Sequence, residues 1–225
     1  LLNHCLASGG SSLPRFSYSF EQASQKTRIQ PRLQGGRRMS EHARTFITYL
    51  QSLQEKQDLG ALAELRRSLA FDPGSYPRAF PCVERFVAKE MHERDARRLA
   101  LYVVAGLFAT HPQVSEHSFA AAFGRLAQLR KASTEHEYSR SIEQRFIALL
   151  EADAETLQTH LRHAISLLKT SEIGLNYARL LDDAALWMNP RLDVDRLRQR
   201  WARDFYRAAQ AQAENPNENP EGDVQ

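Results

Sequence analysis

Apolar residues recur every three or four positions from Ser40 to about Ala211, a period that predicts helices joined by short loops. Phe46, Ile47, Leu50 and Leu53 share one face of a first helix, with Ser40 at its N-cap and an end near Gln57. Gly60 interrupts weakly, and Leu62, Leu65 and Leu69 mark a second, short helix to about Ala70. From Phe71 to Pro81 the chain carries Pro73, Pro77, Pro81 and Gly74, which excludes a regular element. A short helix follows with Pro81 in its first turn and Val83, Phe86 and Val87 inward. Residues 93–110 predict a stronger helix, with Leu99, Tyr102, Val103, Gly106 and Leu107 inward, ended by His111-Pro112. Another spans 116–130, with Phe119, Ala122, Phe123, Leu126 and Leu129 on its core face.

The stretch from Lys131 to Tyr138 is polar and reads as an exposed loop at a subdomain boundary. Beyond it, Ser141 with Gln144 three residues on forms a capping-box pattern ahead of Ile142, Phe146, Leu149 and Leu150. Asp153 caps a helix carrying Leu157, Leu161, Ile165 and Leu168. Leu175 to Trp187 is a further helix, closed by Asn189-Pro190, and Asp193 caps the last one. No strand-like alternation and no internal repeat is present. The expected fold is all-α: two small packed helical bundles, 39–138 and 139–211, joined by a short polar loop. The flanking segments 1–38 and 212–225 are expected to be disordered tails, the second because of its two Asn-Pro pairs and four acids.

On the last helix, Val194, Leu197, Trp201, Phe205 and Ala208 lie within about 80° of one another and form a core face. Arg196, Arg200, Arg203 and Arg207 fall within about 60° on the other side, a stripe roughly 16 Å long. Arginines at that density repel unless an anion is near, and regularly spaced phosphates would supply one. A solvated face damped by Asp193 and Asp204 is the plainer alternative.

The 225 residues carry a formal charge of +3, with 42% hydrophobic and 25% charged positions, ordinary for a soluble globule. No run approaches the ~20 apolar residues that span a bilayer. The charge is unevenly placed. Residues 1–38 hold six basic groups against Glu21 alone, net +5, which leaves 24 basic and 26 acidic groups in 39–225, net −2. The first segment is Arg- and Ser-rich and transit-like in composition, but it is not a secretory signal. Met39 is the expected native start, with 1–38 as translated upstream sequence. A functional basic arm is the competing reading.

Candidate chemistry is sparse. Phosphate-loop, dinucleotide, nucleophile-elbow and H-E-x-x-H patterns are absent from the sequence. His160 and His163 have helical metal-ligand spacing but no third ligand close in sequence. His42, His92, His111, His117 and His136 sit in polar contexts and are expected to be exposed. Cys82 reads as structural, and two cysteines in all exclude a disulfide framework. Asp182-Asp183 offers a carboxylate that could act as a base, but an ion pair with an arginine such as Arg179 is the expected use.

Four stretches are distinctive in order and spacing. They are Leu65-Arg66-Arg67-Ser68-Leu69-Ala70-Phe71-Asp72-Pro73-Gly74-Ser75-Tyr76-Pro77-Arg78-Ala79-Phe80-Pro81, Glu143-Gln144-Arg145-Phe146-Ile147-Ala148-Leu149-Leu150-Glu151-Ala152-Asp153, Tyr177-Ala178-Arg179-Leu180-Leu181-Asp182-Asp183 and Arg200-Trp201-Ala202-Arg203-Asp204-Phe205-Tyr206. From about Met39 to Tyr206 the chain resembles the CasB family, the small subunit of the type I-E CRISPR surveillance complex, Cascade. The resemblance implies a non-catalytic, cofactor-free, cytoplasmic protein of two helical bundles. Two copies would pack head to tail, touching the repeated backbone subunit CasC and the large subunit CasA. They would help hold the guide RNA–target DNA duplex and the displaced single-stranded non-target DNA, without a membrane.

Guide pairing reads sequence in such a complex, so backbone contacts suffice for this subunit. Trp201, Phe205 and Phe146 fall on core faces, which favours phosphate contacts over base stacking. The expected nucleic-acid-binding residues are Arg66, Arg67, Arg125, Arg145, Arg162, Arg179, Arg200 and Arg203. Arg78 is expected to brace the proline loop, and Tyr76-Pro77-Arg78 is a candidate docking turn. The alternatives are a structural clamp making only protein contacts and a freestanding helical RNA-binding protein.

Overall fold

The structure, a computed structural model, describes residues 40–131 and 137–211. The expectations placed on 1–38 and on the 212–225 tail lie outside the described residues, as does His136. Among the described residues there are nine helices and no strand: α1 (Glu41–Glu55), α2 (Leu59–Ser68), α3 (Phe80–Val83), α4 (Ala96–Thr110), α5 (Phe119–Leu129), α6 (Arg140–Leu150), α7 (Leu157–Thr170), α8 (Tyr177–Trp187) and α9 (Asp195–Gln210). The all-α class read from periodicity is what the chain adopts. None of these helices is long and apolar enough to cross a membrane.

The ends follow local chemistry. Ser40 caps α1 by accepting from the Ala43 amide at 3.1 Å, and its own amide and hydroxyl donate to the Asp182 carboxylate. Asp58, Asp95, Ser118 and Asn176 cap α2, α4, α5 and α8 in the same way. The capping box expected at Ser141 does not form. Helix α6 starts two residues earlier, with Ser139 at the N-cap, and the Ser139 amide donates to the Ala127 carbonyl at 2.8 Å, tying the chain back to α5. In the proline stretch, Gly74 takes a φ of 78° behind Pro73, and the Ser75 amide closes the turn on the Asp72 carbonyl. Only glycine accepts that conformation without strain at the third position of such a turn.

One continuous apolar cluster runs through helices on both sides of residues 132–136. Helix α4 is buried on every side from Ala100 to Ala109, the pattern of a central helix, and packs against α2, α7 and α8. The most extensive helix pair is α5 with α9. Phe205 of α9 stacks on Phe146 of α6, ring centroids 4.1 Å apart, with Phe123 of α5 at 6.3 Å from both. The approach of α5 to α9 requires Gly124. A β-carbon there would collide with the Phe205 carbonyl oxygen and lie 3.0 Å from the Ala208 β-carbon. Leu129, expected inward, is 69% exposed, because α5 outruns the face that α9 covers.

A charged network sits inside this packing. Asp183 is 3% exposed; it accepts from the Trp201 indole at 2.8 Å and from the Arg200 guanidinium. Arg200 therefore does not belong to a solvent-facing stripe. It lies about 60° from Leu197 around α9, at the margin of the core face. The ion pair expected between Asp182-Asp183 and an arginine of the bundle forms at Asp183 with Arg200; Arg179, the arginine named as an example, binds Asp204 instead, at 2.9 Å. Burial pushes the Asp183 carboxyl above its ordinary value, more than Arg200 and Trp201 pull it down.

Two outcomes test this packing. Gly124→Ala should destabilise by about 1–3 kcal/mol through overpacking against backbone, lowering the Tm by about 2–4 °C per kcal/mol; an unchanged Tm would contradict the close approach. Asp183→Ala should cost about 3 kcal/mol, because Arg200 and the Trp201 indole lose their acceptor. Because the folded-state value of Asp183 lies above the unfolded one, protonation favours the folded state. Wild type should therefore gain stability relative to Asp183→Asn as pH falls through the folded value, the gain levelling off below about 4. Paired denaturant titrations across pH check the sign; a gain on raising the pH would mean that Arg200 outweighs burial.

Candidate nucleic-acid interface

Two loops fix the geometry of the candidate site. The segments before α5 and before α8 run side by side, zipped by backbone hydrogen bonds. The Leu175 amide donates to Gln113, the Ser115 amide to Leu175, and the Asn176 amide to His117, at 3.2, 3.1 and 2.7 Å. His111, expected to be exposed, is 3% exposed and anchors this zipper. Its Nε2 donates to the Ile173 carbonyl at 2.8 Å, and its own carbonyl accepts from the Tyr177 hydroxyl at 2.5 Å. Burial raises the Tyr177 phenol far above its usual value, so it stays a neutral donor. The zipper holds the first turns of α5 and α8 next to each other.

Helix α9 runs past these two starts and leaves a groove of about 650 Å³, lined among others by Arg125, Arg179 and Arg207. Ser118 ties the three elements together: it caps α5 and donates to Asp204 at 2.9 Å, and the same carboxylate oxygen holds Arg179 at 2.9 Å. Arg179 is thus positioned with its charge offset by Asp204. Arg125 reaches the His117 ring, whose Nε2 must accept, since a guanidinium only donates. Arg207 and Arg125 have no carboxylate within ion-pair distance among the described residues. The groove therefore presents two uncompensated guanidinium groups and a third on a carboxylate. The exposed Glu116 also lines the groove.

The eight arginines expected to bind nucleic acid divide into three sets. Arg125 and Arg179 meet in the groove. Arg145 on α6, Arg162 on α7 and Arg203 on α9 are exposed, outside the groove lining, and free of carboxylate partners among the described residues. Arg66, Arg67 and Arg200 are engaged within the protein. Arg66 donates to the Ala109 carbonyl at the end of α4 at 3.0 Å, Arg67 pairs with Glu64 at 2.9 Å, and Arg200 binds Asp183. Glu64 also accepts from Tyr76 and from Arg78, so Arg78 does brace the proline turn as expected. That tyrosine hydroxyl, ahead of the two arginines, holds Glu64 below the usual carboxylate range.

Arg207 and His117 join the site although neither was among the expected binding residues. Arg207 was within the α9 stripe, but its membership in a groove depends on α5 and α8. His117 was read as exposed, which it is; its place beside Arg125 follows from their eight-residue separation across the first turns of α5. His160 and His163 are joined by no third His, Cys, Asp or Glu among the described residues. Cys82, on α3, is buried and has no disulfide partner among the described residues.

Comparison with known proteins places the chain. Residues 61–206 match the family model for CRISPR-associated protein Cse2. A CRISPR-associated protein Cse2 of Thermus thermophilus is 41% identical over 174 residues, covering 77% of this chain and 95% of the relative. The crystal structure of a Cse2-family protein from the same organism is similar in fold, with a TM-score of 0.61 at 40% identity over 74% of this chain and 98% of that one. The crystal structure of M. ruber CasB matches with a TM-score of 0.59 at 31% identity, over 76% and 95%. A chain of a solved CRISPR RNA-guided surveillance complex shares the fold at 21% identity, with a TM-score of 0.59 over 75% of this chain and 93% of that one. The chain belongs to the Cse2, or CasB, family of CRISPR-associated proteins.

Proposed function

We propose that this protein is a non-catalytic subunit of a type I-E CRISPR RNA-guided surveillance complex, and that it stabilises the R-loop through phosphate contacts in the α5–α8–α9 groove. The observation that carries the reading is the convergence of Arg125, Arg179 and Arg207 on one groove from three helices. Guanidinium groups that lack carboxylate partners are available to phosphate oxygens, which they bind by charge-assisted hydrogen bonds. Family membership supports the assembly, and the fold shared with a chain of a CRISPR RNA-guided surveillance complex agrees with it.

The groove suits phosphates rather than bases. Its aromatic neighbours, Phe119, Phe123, Trp201 and Phe205, are buried in the core and offer no face for base stacking. Binding is then electrostatic and indifferent to sequence, which fits a displaced non-target strand whose sequence changes with every guide. Arg145, Arg162 and Arg203 are available as outlying contacts along the strand or the guide–target duplex. Contacts with the backbone subunit CasC, the large subunit CasA and a second copy of this chain belong to the same reading. A clamp making only protein contacts is the alternative that the experiment separates.

The test is charge reversal at Arg125 and Arg207 together, in the assembled complex. Retention of the displaced strand and R-loop lifetime should fall. The slope of log affinity against log salt should shrink by about 0.7 for each lost single-strand contact. Arg145→Glu with Arg162→Glu should have a smaller effect. Unchanged strand retention and salt slope in a normally assembled Arg125→Glu, Arg207→Glu complex would leave only the protein-clamp reading.

A further inference from the structure

The groove has a candidate occupant within the chain itself. Ala211, at the end of α9, lies in the groove lining, and its carbonyl accepts from the Gln128 amide on α5. The chain therefore leaves α9 inside the groove. The next residues, 212–225, contain Glu214, Glu218, Glu221 and Asp223 and no lysine or arginine. Glu214 is three residues beyond Ala211, so its Cα is confined within roughly 11 Å of that point. The groove offers Arg125 and Arg207, each without a carboxylate partner among the described residues. An anionic segment tethered at the mouth of a cationic groove has an effective concentration on the order of millimolar. Half-occupancy at that concentration requires an intrinsic dissociation constant in the millimolar range.

The geometry points to the acidic segment 212–225 as an intramolecular ligand of the groove, standing in for a nucleic-acid backbone until a strand displaces it. The inference rests on the groove's being the phosphate site only for its competitive consequence; docking of the segment stands on its own. The acidic segment would act against casual binding. A short, sparsely charged segment yields to a long polyanion presented by the assembled complex, but it competes well against stray single strands. It also alters the salt signature. A strand that displaces carboxylates from Arg125 and Arg207 releases fewer bound counterions than one entering an empty groove.

The experiment compares the full chain with a full-chain variant carrying Glu214→Gln, Glu218→Gln, Glu221→Gln and Asp223→Asn. Amide hydrogen exchange at the facing ends of α5 and α9 is read first, without nucleic acid. Neutralising the segment should raise exchange around Arg125, Gln128 and Arg207 at low salt, and the difference should vanish at about 1 M salt, where the Debye length is near 3 Å. A synthetic peptide of residues 212–225, added to the neutralised variant, should restore protection, and its amide-substituted counterpart should not. If the segment occupies the groove in about nine molecules of ten, neutralising it tightens binding of an oligothymidine strand by about tenfold. The salt slope should also steepen. Equal exchange in both proteins together with no protection by the acidic peptide overturns the inference, whatever the strand does. Protection by the peptide with no strand binding to either protein sustains the inference and instead removes the phosphate-site reading.

Discussion

The contact on which the rest depends is the approach of α5 to α9 at Gly124. With no side chain at that position, the Phe205 backbone of α9 rests directly on α5, and Ala208 packs alongside. That depth of contact lets Phe205 reach across to stack on Phe146 and lets Trp201 lie 5.0 Å from both Phe119 and Trp187. Aromatic side chains at such spacings contribute large buried areas and preferred edge and offset geometries. The same approach sets the depth of the groove, because the flank of α9 just outside its core face carries Asp204, Arg207, Ala208 and Ala211. Core and groove are two sides of one helix pair, so a change at Gly124 is felt in both.

Electrostatics divides the arginines by what surrounds them. Those whose helix position borders the core acquire internal partners: Arg200 meets Asp183, and Arg66 meets the Ala109 carbonyl near the end of α4. These groups stabilise packing and cannot turn outward without stranding a buried acceptor. Arg179 is intermediate. Its guanidinium is oriented by Asp204, which Ser118 also holds, so it reaches the groove in a fixed pose with part of its charge offset. Arg125 and Arg207 keep their charge. A groove built this way has positioned and unpositioned cations together, suited to a mobile polyanion whose phosphates need no single register.

The helices were legible in the sequence because burial here follows a 3.6-residue period closely: Phe46, Ile47, Leu50 and Leu53 are all buried on α1, as their spacing requires. The Ser40 cap and the break at His111-Pro112 were legible for equally local reasons. What depends on two segments meeting was not. His111 sits in a polar-looking sequence, yet its ring satisfies the Ile173 carbonyl sixty-two residues away. Ser141 has the spacing of a capping box, but the tie from Ser139 to Ala127 sets the start of α6 earlier. Arg200 and Arg203 belong to one stripe on a helical projection, with Arg200 nearer the core face; the position of α8 gives it a carboxylate, and Arg203 is left in solvent. The groove needed α5, α8 and α9 together, so the family-like words around Arg179 and Arg200 located the region without showing which arginines converge.

The most direct measurement is site-specific photo-crosslinking in the assembled complex bound to target DNA. A photoreactive residue is placed at Ala121 or Gln128, which line the groove, and separately at His163, which is exposed on α7 and outside it. The expected result is crosslinking to the displaced strand from Ala121 and Gln128, suppressed by Arg125→Glu with Arg207→Glu, and little or none from His163. Crosslinks from the groove positions to protein alone, with DNA captured from His163 instead, would contradict the assignment of the α5–α8–α9 groove as the nucleic-acid interface.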